Sequence, residues 1–417
     1  MYFVRSAVTV LLLSAFPLIS SALGARADQI TPKALVAKSQ PANWWFVFKF
    51  NSGVFPGCPA RSVRACPFGG EVQDYAFSQQ FAFASSDDPQ LRPGTDCLGD
   101  ATTDPVGATY DEIYSHKLNY VVWNDQFYND PDIAGCGTSC SAPWGHSKGI
   151  LAWNNAGDGV VMQVSTPSWP ASGSKSAPRK TDGNSLGCVD DDNVKVSQHF
   201  FSVSLSKNDV KLVLEALQNA SVVTDPNNKQ LVNNGGPEDI KALVDTLGVK
   251  SKNTAAESFE LTTGVVVLSK PSRLHVPPWQ MVSSLLGGVS LRTATWWANP
   301  KIASTTENEA INCWDSSLDP PGAVDIATTG HWDGKEFGLQ GGGGKNFNHA
   351  KIGVSTSGSH PYVIFGDMNQ QGDISGDACT RSQNGRGGLF FVVEDPSLHK
   401  GVAGLIAGES APGSDAQ

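Results

Sequence analysis

Apolar residues fall in short runs separated by polar and glycine-rich turns along most of the chain. Residues 43–50, Asn43-Trp44-Trp45-Phe46-Val47-Phe48-Lys49-Phe50, are almost continuously apolar, the pattern of a strand buried on both faces. Residues 51–115 are rich in Gly, Pro and Cys and predict loop. A strand is expected at 120–126, ending in the polar turn Asn124-Asp125-Gln126. Residues 145–153 and 160–164 read as strand, turn, strand. An alternating strand covers 194–205, and helical spacing begins after it. Ser206 and Asp209 fit a capping box, followed by Val210, Val213, Leu214 and Leu217 on one face. Pro237 opens a second helix that buries Ile240, Leu243, Val244 and Leu247 and stops at Gly248. The pattern then predicts a strand at 259–268, a helix at 279–286 ended by Gly287-Gly288, and a strand at 289–297. A Gly-rich loop, 338–345, leads into a second strand-turn-strand at 352–365. After residue 397 the composition turns to Gly, Ala, Ser and Pro, which predicts a mobile tail.

This order gives an α/β (mixed α+β) chain in two halves, 28–230 and 231–397, with a tail at 398–417. The halves share a phrase. Gly145-His146-Ser147-Lys148-Gly149 leads the first strand-turn-strand, and Asn348-His349-Ala350-Lys351-Ile352 leads the second. Side chains two apart on a strand share a face, so each pair is expected to aim an imidazole and an ammonium at one spot. The duplication suggests two similar halves meeting at one site.

The length of 417 residues suits two domains or one large double layer. With 40% hydrophobic and 17% charged residues the chain has ample core material, and 43 Gly and 25 Pro favour turns over a helical bundle. The formal charge of −10 argues against coating nucleic acid through bulk charge, though it leaves room for a local basic cleft. Residues 1–27 have the charge, apolar run and Ala25-Arg26-Ala27 ending of a secretory signal peptide, with cleavage expected before Asp28. The mature protein is therefore expected to be secreted or periplasmic, off the membrane. Eight cysteines follow: Cys58, Cys66, Cys97, Cys136, Cys140, Cys188, Cys313 and Cys379. An even number in an exported chain predicts disulfides, whose pairing the spacing leaves open. No two stand two or three apart and no His sits beside them in a zinc-ligand pattern, and neither a metal nor a cofactor is expected.

Candidate chemistry centres on His146, Lys148, His349 and Lys351. The strand after the second phrase ends in Gly366-Asp367-Met368-Asn369, and its counterpart ends in Ser165-Thr166-Pro167-Ser168. Imidazoles, ammoniums, an amide and hydroxyls together suit one anionic, tetrahedral group. Lysines and Asn369 would hold phosphate oxygens and stabilise charge building in a pentavalent transition state; Asp367, Ser165 and Ser168 complete the candidate phosphate-binding set. The competing reading has the histidines capping strands and the lysines solvated, and the duplication argues against it. The other six histidines, His199 among them, are expected in loops or at the surface. Gly341-Gly342-Gly343-Gly344-Lys345 is not a phosphate-cradling P-loop, because Asn346 stands where Ser or Thr is needed and Leu339 where the first Gly belongs. Asp190-Asp191-Asp192 reads as a solvated acidic turn.

The two His-x-Lys pairs with an Asn on the partner strand resemble the phospholipase D superfamily. That superfamily also places an Asp after each Lys with four residues between; here those places hold Trp153 and Thr356. The chain accordingly resembles a divergent branch, the deoxyribonuclease II family. The likeness is carried by Trp45-Phe46-Val47 with Lys49, Asn124-Asp125-Gln126, Gly145-His146-Ser147-Lys148-Gly149 and Ser165-Thr166-Pro167-Ser168-Trp169-Pro170. It continues through 279–297, Asn312-Cys313, His349-Ala350-Lys351 and Gly366-Asp367-Met368-Asn369. It implies two phospholipase D-like halves related by pseudo-twofold symmetry, each a mixed sheet flanked by helices. It further implies metal-independent hydrolysis of DNA in acid, leaving 3′-phosphate and 5′-hydroxyl ends. By the same likeness His146 would attack phosphorus and His349 would protonate the leaving oxygen, then activate water. Family members clamp a duplex as one chain or as two, so a homodimer is one implied assembly. Two alternatives stand beside this: a phosphodiesterase of another substrate such as phospholipid, and a non-catalytic secreted binding protein. Retention of all four His and Lys residues argues against the second.

Overall fold

The computed structural model describes residues 1, 30–55, 80–95, 98–99, 102–126, 144–167, 196–229 and 231–413. The expected signal peptide, Ser168, the 190–192 acidic turn and Cys58, Cys66, Cys97, Cys136, Cys140 and Cys188 lie outside those residues.

The first half runs through a hairpin, β1 (Ala34–Ala37) and β2 (Gln40–Ala42), to β3 (Trp44–Lys49), β4 (Phe81–Ser85), β5 (Asp88–Pro93), α1 (Pro105–Ser115) and β6 (Asn119–Asn124). It continues with β7 (Lys148–Trp153), β8 (Gly159–Val164), β9 (Gln198–Leu205), α2 (Lys207–Asn219), β10 (Val232–Asn233) and α3 (Glu238–Val244). The second half holds β11 (Glu257–Glu260), β12 (Val266–Lys270), α4 (Pro278–Leu285), β13 (Leu291–Ala294), β14 (Val324–Ile326) and a small hairpin, β15 (Thr329–Trp332) with β16 (Lys335–Gly338). It ends with β17 (Ile352–Ser355), β18 (Tyr362–Gly366), β19 (Gly388–Glu394) and α5 (Pro396–Leu405).

Two large sheets result, and the class is the expected mixed α+β. The first is ordered β10-β6-β7-β8-β9-β3-β4-β5 and the second β11-β12-β19-β18-β17-β13-β14. The series β6-β7-β8-β9-β3 matches β13-β17-β18-β19-β12 strand for strand. Likewise α1 precedes β6 as α4 precedes β13, and α2 follows β9 as α5 follows β19. The duplication inferred from two short phrases is thus a duplication of topology. Every pairing in the first sheet is antiparallel, so only the second, through its parallel β13–β14 edge, is mixed. The short turn at 154–158 returns β8 antiparallel to β7.

Several local expectations change. The loop-rich stretch 51–115 contains β4, β5 and α1, the helix capped by Asp104 accepting from the N–H groups of Val106 and Gly107. The single strand at 259–268 is two, because Gly264 turns the chain at positive φ between β11 and β12. Beyond residue 230, β10 pairs with β6, and Ile240 and Val244 of α3 join the shared core. Residues 396–413, most of them expected as tail, carry a helix and a backbone bond to β14. Asp395 caps α5, whose Leu398, Val402 and Leu405 are buried, and Ala411 N–H donates to Ile326 in β14. A Gly/Ala-rich composition describes small side chains, which pack closely as readily as they fray.

One core joins both sheets. Phe46 of β3 and Phe201 of β9 each stack on Phe365 of β18 with ring centroids 4.4 Å apart, and Phe391 of β19 lies 5.6 Å from Phe201. Burying large rings from both halves in one place supplies hydrophobic and packing energy together, and it brings the two His-x-Lys phrases face to face. Among the described cysteines, Cys313 and Cys379 form a disulfide.

Candidate active site

Both phrases sit just ahead of the equivalent strands β7 and β17, and each is gripped by the other half. His146 N–H donates to Gly387 O (2.8 Å), and Gly387 N–H donates to Trp144 O (2.9 Å). In the mirror arrangement His349 N–H donates to Ser197 O (2.8 Å), and Ser197 N–H donates to Phe347 O (2.9 Å). Residues 387 and 197 are the ones immediately before β19 and β9. The strand ends repeat the rule. Asp367 N–H bonds Leu389 O while its carboxylate accepts Leu389 N–H; Ser165 N–H bonds His199 O while its hydroxyl accepts His199 N–H. Asp367 and Ser165 are therefore structural counterparts.

Between these ends lies a cleft of about 520 Å³, lined by His146, Ser165, His349, Lys351, Asn369 and Arg386 together with Gln126, Pro167, Trp296, Gly343, Gln371, Ser382 and Gln383. His146 Nδ1 donates to the backbone oxygen of Asp367 at 2.7 Å. A carbonyl only accepts, so this bond fixes the neutral tautomer and leaves the Nε2 lone pair free. Asn369 Nδ2 lies 3.5 Å from that Nε2 and donates to Gln371 Oε1, and Asn369 Oδ1 is buried without a partner. His349 meets Trp296 edge-on, ring centroids 4.2 Å apart, and its buried Nε2 has no hydrogen-bond partner. A backbone hydrogen bond with Gly342 holds its ring. The glycine loop at 341–344 thus belongs to the site, although not as a phosphate cradle.

The two pairs are not used alike. Lys351 faces the cleft and donates to His349 O at 2.5 Å. The Lys148 ammonium sits on Asp125 Oδ1 at 2.6 Å, and its charge is felt by His146, His349 and Lys351. The cause is local: register pairs Asn124 with Lys148, which leaves Asp125 beside the ammonium. Arg386, 3.7 Å from Asp125 Oδ2, takes the free cationic place on that side of the cleft. The Asp367 carboxyl also stays out of the lining, and its contribution to the cleft is the carbonyl that orients His146.

Electrostatics follow from burial. Burial pushes His146 well below the usual imidazole value; Asp125 opposes this, while Lys148, Lys351 and Arg386 add to it. His349 is held down by burial first, then by Lys351 and Lys148. Burial, reinforced by Lys148, brings Lys351 down to about 7. Burial also lifts Asp367 to about 7 against bonds from Ser147 and Leu389. For Asp125 the desolvation that would raise it is outweighed by Lys148, His146 and Arg386, and it settles at about 2. These groups form a buried, cationic pocket with two neutral imidazoles, chemically suited to an anion.

Sequence reasoning missed Arg386, Trp296 and His199. His199 is fully buried in β9, not at the surface: its Nδ1 accepts Lys351 N–H at 3.1 Å and its Nε2 lies 3.4 Å from Gln163 Oε1. Its signal was available, since it sits in an alternating apolar strand. Arg386 gave none, lying in a polar stretch far from either phrase. Among the described residues no cluster of His, Cys, Asp and Glu has the makings of a metal site.

The fold and cleft define a class: a duplicated α+β scaffold whose two copies each bring a His-x-Lys phrase to one anion-binding cleft. The family model for deoxyribonuclease II matches residues 37–409, and the chain belongs to that family. It is a deoxyribonuclease, and DNA is its substrate. No curated protein matches the chain in sequence.

Proposed function

We propose that the chain is an exported acid endodeoxyribonuclease that cuts DNA without a metal ion, through a phosphohistidine. His146 Nε2 attacks the scissile phosphorus, and the P–O5′ bond breaks as His349 gives its proton to the departing oxygen. His349 then takes a proton from water, whose oxygen attacks the phosphorus and breaks the N–P bond. The products carry a 3′-phosphate and a 5′-hydroxyl. Lys351, Arg386 and Asn369 hold the non-bridging oxygens, where preorganised donors matter most. Lys148 and Asp125 fix the strand entry behind His146. Ser165 shapes the wall, its hydroxyl donating to Gln198 Oε1 and accepting from His199 N–H.

The observation that carries this reading is the fixed tautomer of His146. Its Nδ1–H is tied to Asp367 O, so Nε2 meets the cleft as a lone pair. His349 Nε2 has no hydrogen-bond partner among the described residues, which suits a proton shuttle. Because burial and the nearby cations hold both imidazoles down, a protonated donor is populated only in acid. Export is supported by the signal-peptide pattern and the Cys313–Cys379 disulfide, and no described helix is long and apolar enough to cross a membrane.

The test is nicking of supercoiled plasmid by the mature protein in excess EDTA from pH 4 to 8, beside His146→Ala and His349→Ala. Cleavage is expected to peak in acid, to ignore EDTA and to fall by at least about 10³-fold in either variant. A requirement for a divalent cation, or an optimum above pH 7, would overturn the mechanism.

A further inference from the structure

Two buried lysines outside the His-x-Lys phrases stand in equivalent places. Lys49 ends β3 and pairs in register with Gln198 at the start of β9; Lys270 ends β12 and pairs with Gly388 at the start of β19. Neither side chain reaches solvent. Each ammonium turns back to the carbonyl two residues before its register partner. Lys49 Nζ donates to Val196 O at 2.7 Å, and Lys270 Nζ donates to Arg386 O at 2.8 Å. Lys270 also donates to Leu274 O (2.6 Å) and Asn384 O (2.8 Å), which occupies all three ammonium protons.

The carbonyls one residue further on are the ones that hold the histidines. Ser197 O accepts His349 N–H, and Gly387 O accepts His146 N–H. Lys49 therefore anchors, from the first half, the segment that grips the second half's histidine. Lys270 anchors, from the second half, the segment that grips the first half's. Position 387 has no room to compensate: a Cβ there would lie 2.0 Å from Ala220 O.

We infer that Lys49 and Lys270 are a pair of positioning residues, each setting the imidazole of the opposite half, with Lys270 also setting the backbone that presents Arg386 to the cleft. A buried ammonium is costly to desolvate, and an apolar side chain would fill the same volume more cheaply. The retained cost is matched here by a job: carbonyl-rich backbone just before β9 and β19 must be held within a fraction of an ångström. Burial brings Lys270 down to about 7, so its three-donor form is complete in acid, where the proposed reaction runs.

The inference rests on the two-histidine reading for its catalytic consequence but not for its geometry, and the experiment separates the two. Histidine side-chain titrations are followed by NMR in the full mature protein, in Lys270→Met and in Lys49→Met, with kcat and KM for plasmid or oligonucleotide cleavage measured alongside. Lys270→Met is expected to shift the His146 titration and leave that of His349, and Lys49→Met to do the reverse. Both should lower kcat by on the order of ten- to a hundredfold with KM within about twofold, the pattern of a misplaced group rather than a lost contact. If either methionine variant does not fold, Gln at the same position, which keeps two N–H donors, replaces it and is expected to give a smaller shift of the same histidine. Equal shifts of both histidines, or unchanged titrations in a folded variant, would sink the inference whatever DNA cleavage shows. Selective shifts with activity surviving His146→Ala would instead uphold the brace and refute the mechanism.

Discussion

Asp125 carries more of the site than its place in a polar turn suggests. Its Oδ1 takes both the Lys148 ammonium and Ser147 N–H, at 2.6 and 3.1 Å, and its Oδ2 faces Arg386. Replacing it by Asn would leave Lys148 charged and buried with no counter-ion, a change that costs about 3–5 kcal/mol in comparable buried pairs. Asp125→Asn is therefore expected to lower the urea midpoint by that scale and to reduce cleavage, while Lys148→Met with Asp125→Asn recovers part of the stability. A midpoint unchanged by the single substitution would show the pair to be idle. The pH sign is favourable to an acid enzyme. Asp125 falls from 3.8 to about 2 on folding, so its stabilisation is full above 3.8 and is lost only as pH drops through about 2. The imidazoles run the other way. Held below 6.5 in the fold, they make the unfolded chain the better proton acceptor, so they withdraw stability as pH falls below 6.5.

At the scale of the element, β7 shows how a strand can fix a site through what it lacks. Gly149 follows Lys148 and lies under Trp123; a Cβ there would come within 2.4 Å of Trp123 Cζ2 and 2.5 Å of Met162 O. Neither neighbour can give way, since Met162 O is backbone and the Trp123 indole is buried and donates to Ser147 Oγ at 2.8 Å. Gly149→Ala is expected to cost about 1–3 kcal/mol through overpacking, read as a lower Tm, and to displace the strand entry that carries His146 and Lys148. An unchanged Tm would mean that β7 shifts freely and that the site does not depend on its seat. The glycine is thus needed for close approach of an indole, not for an unusual backbone angle.

For the whole molecule the decisive contact is the aromatic stack between the halves. Phe365 is sandwiched by Phe46 and Phe201 and belongs to β18, the strand that delivers Asp367 and Asn369. Phe365→Ala is expected to destabilise by about 3–5 kcal/mol, and to depress cleavage more than a comparable truncation lying within one half, such as Ile113→Ala in α1, which packs on β1 and β3. Calorimetry with parallel nicking assays tests this: equal loss of activity at equal loss of stability would mean that the interface contributes only general stability. One chain supplies both His-x-Lys phrases to the cleft.

The periodicity of the apolar runs and the repeated phrase determined much by themselves. They located most strands of the two series, though not β19, and with them the capped helix after Ser206 and the repeated phrase, because alternation, capping chemistry and sequence repetition are local signals. The likeness to the deoxyribonuclease II family was legible for the same reason, in contiguous phrases. Other features had no local signal. Arg386 at the cleft, the Asp367 carbonyl that sets His146, and the buried His199 each depend on which distant backbone lies opposite. So do the cross-gripping carbonyls of Gly387 and Ser197 and the docking of residues 396–413. Register and the packing of two sheets decide those, and hydrogen-bond partners more than a hundred residues apart leave no mark on the run of residues around either one.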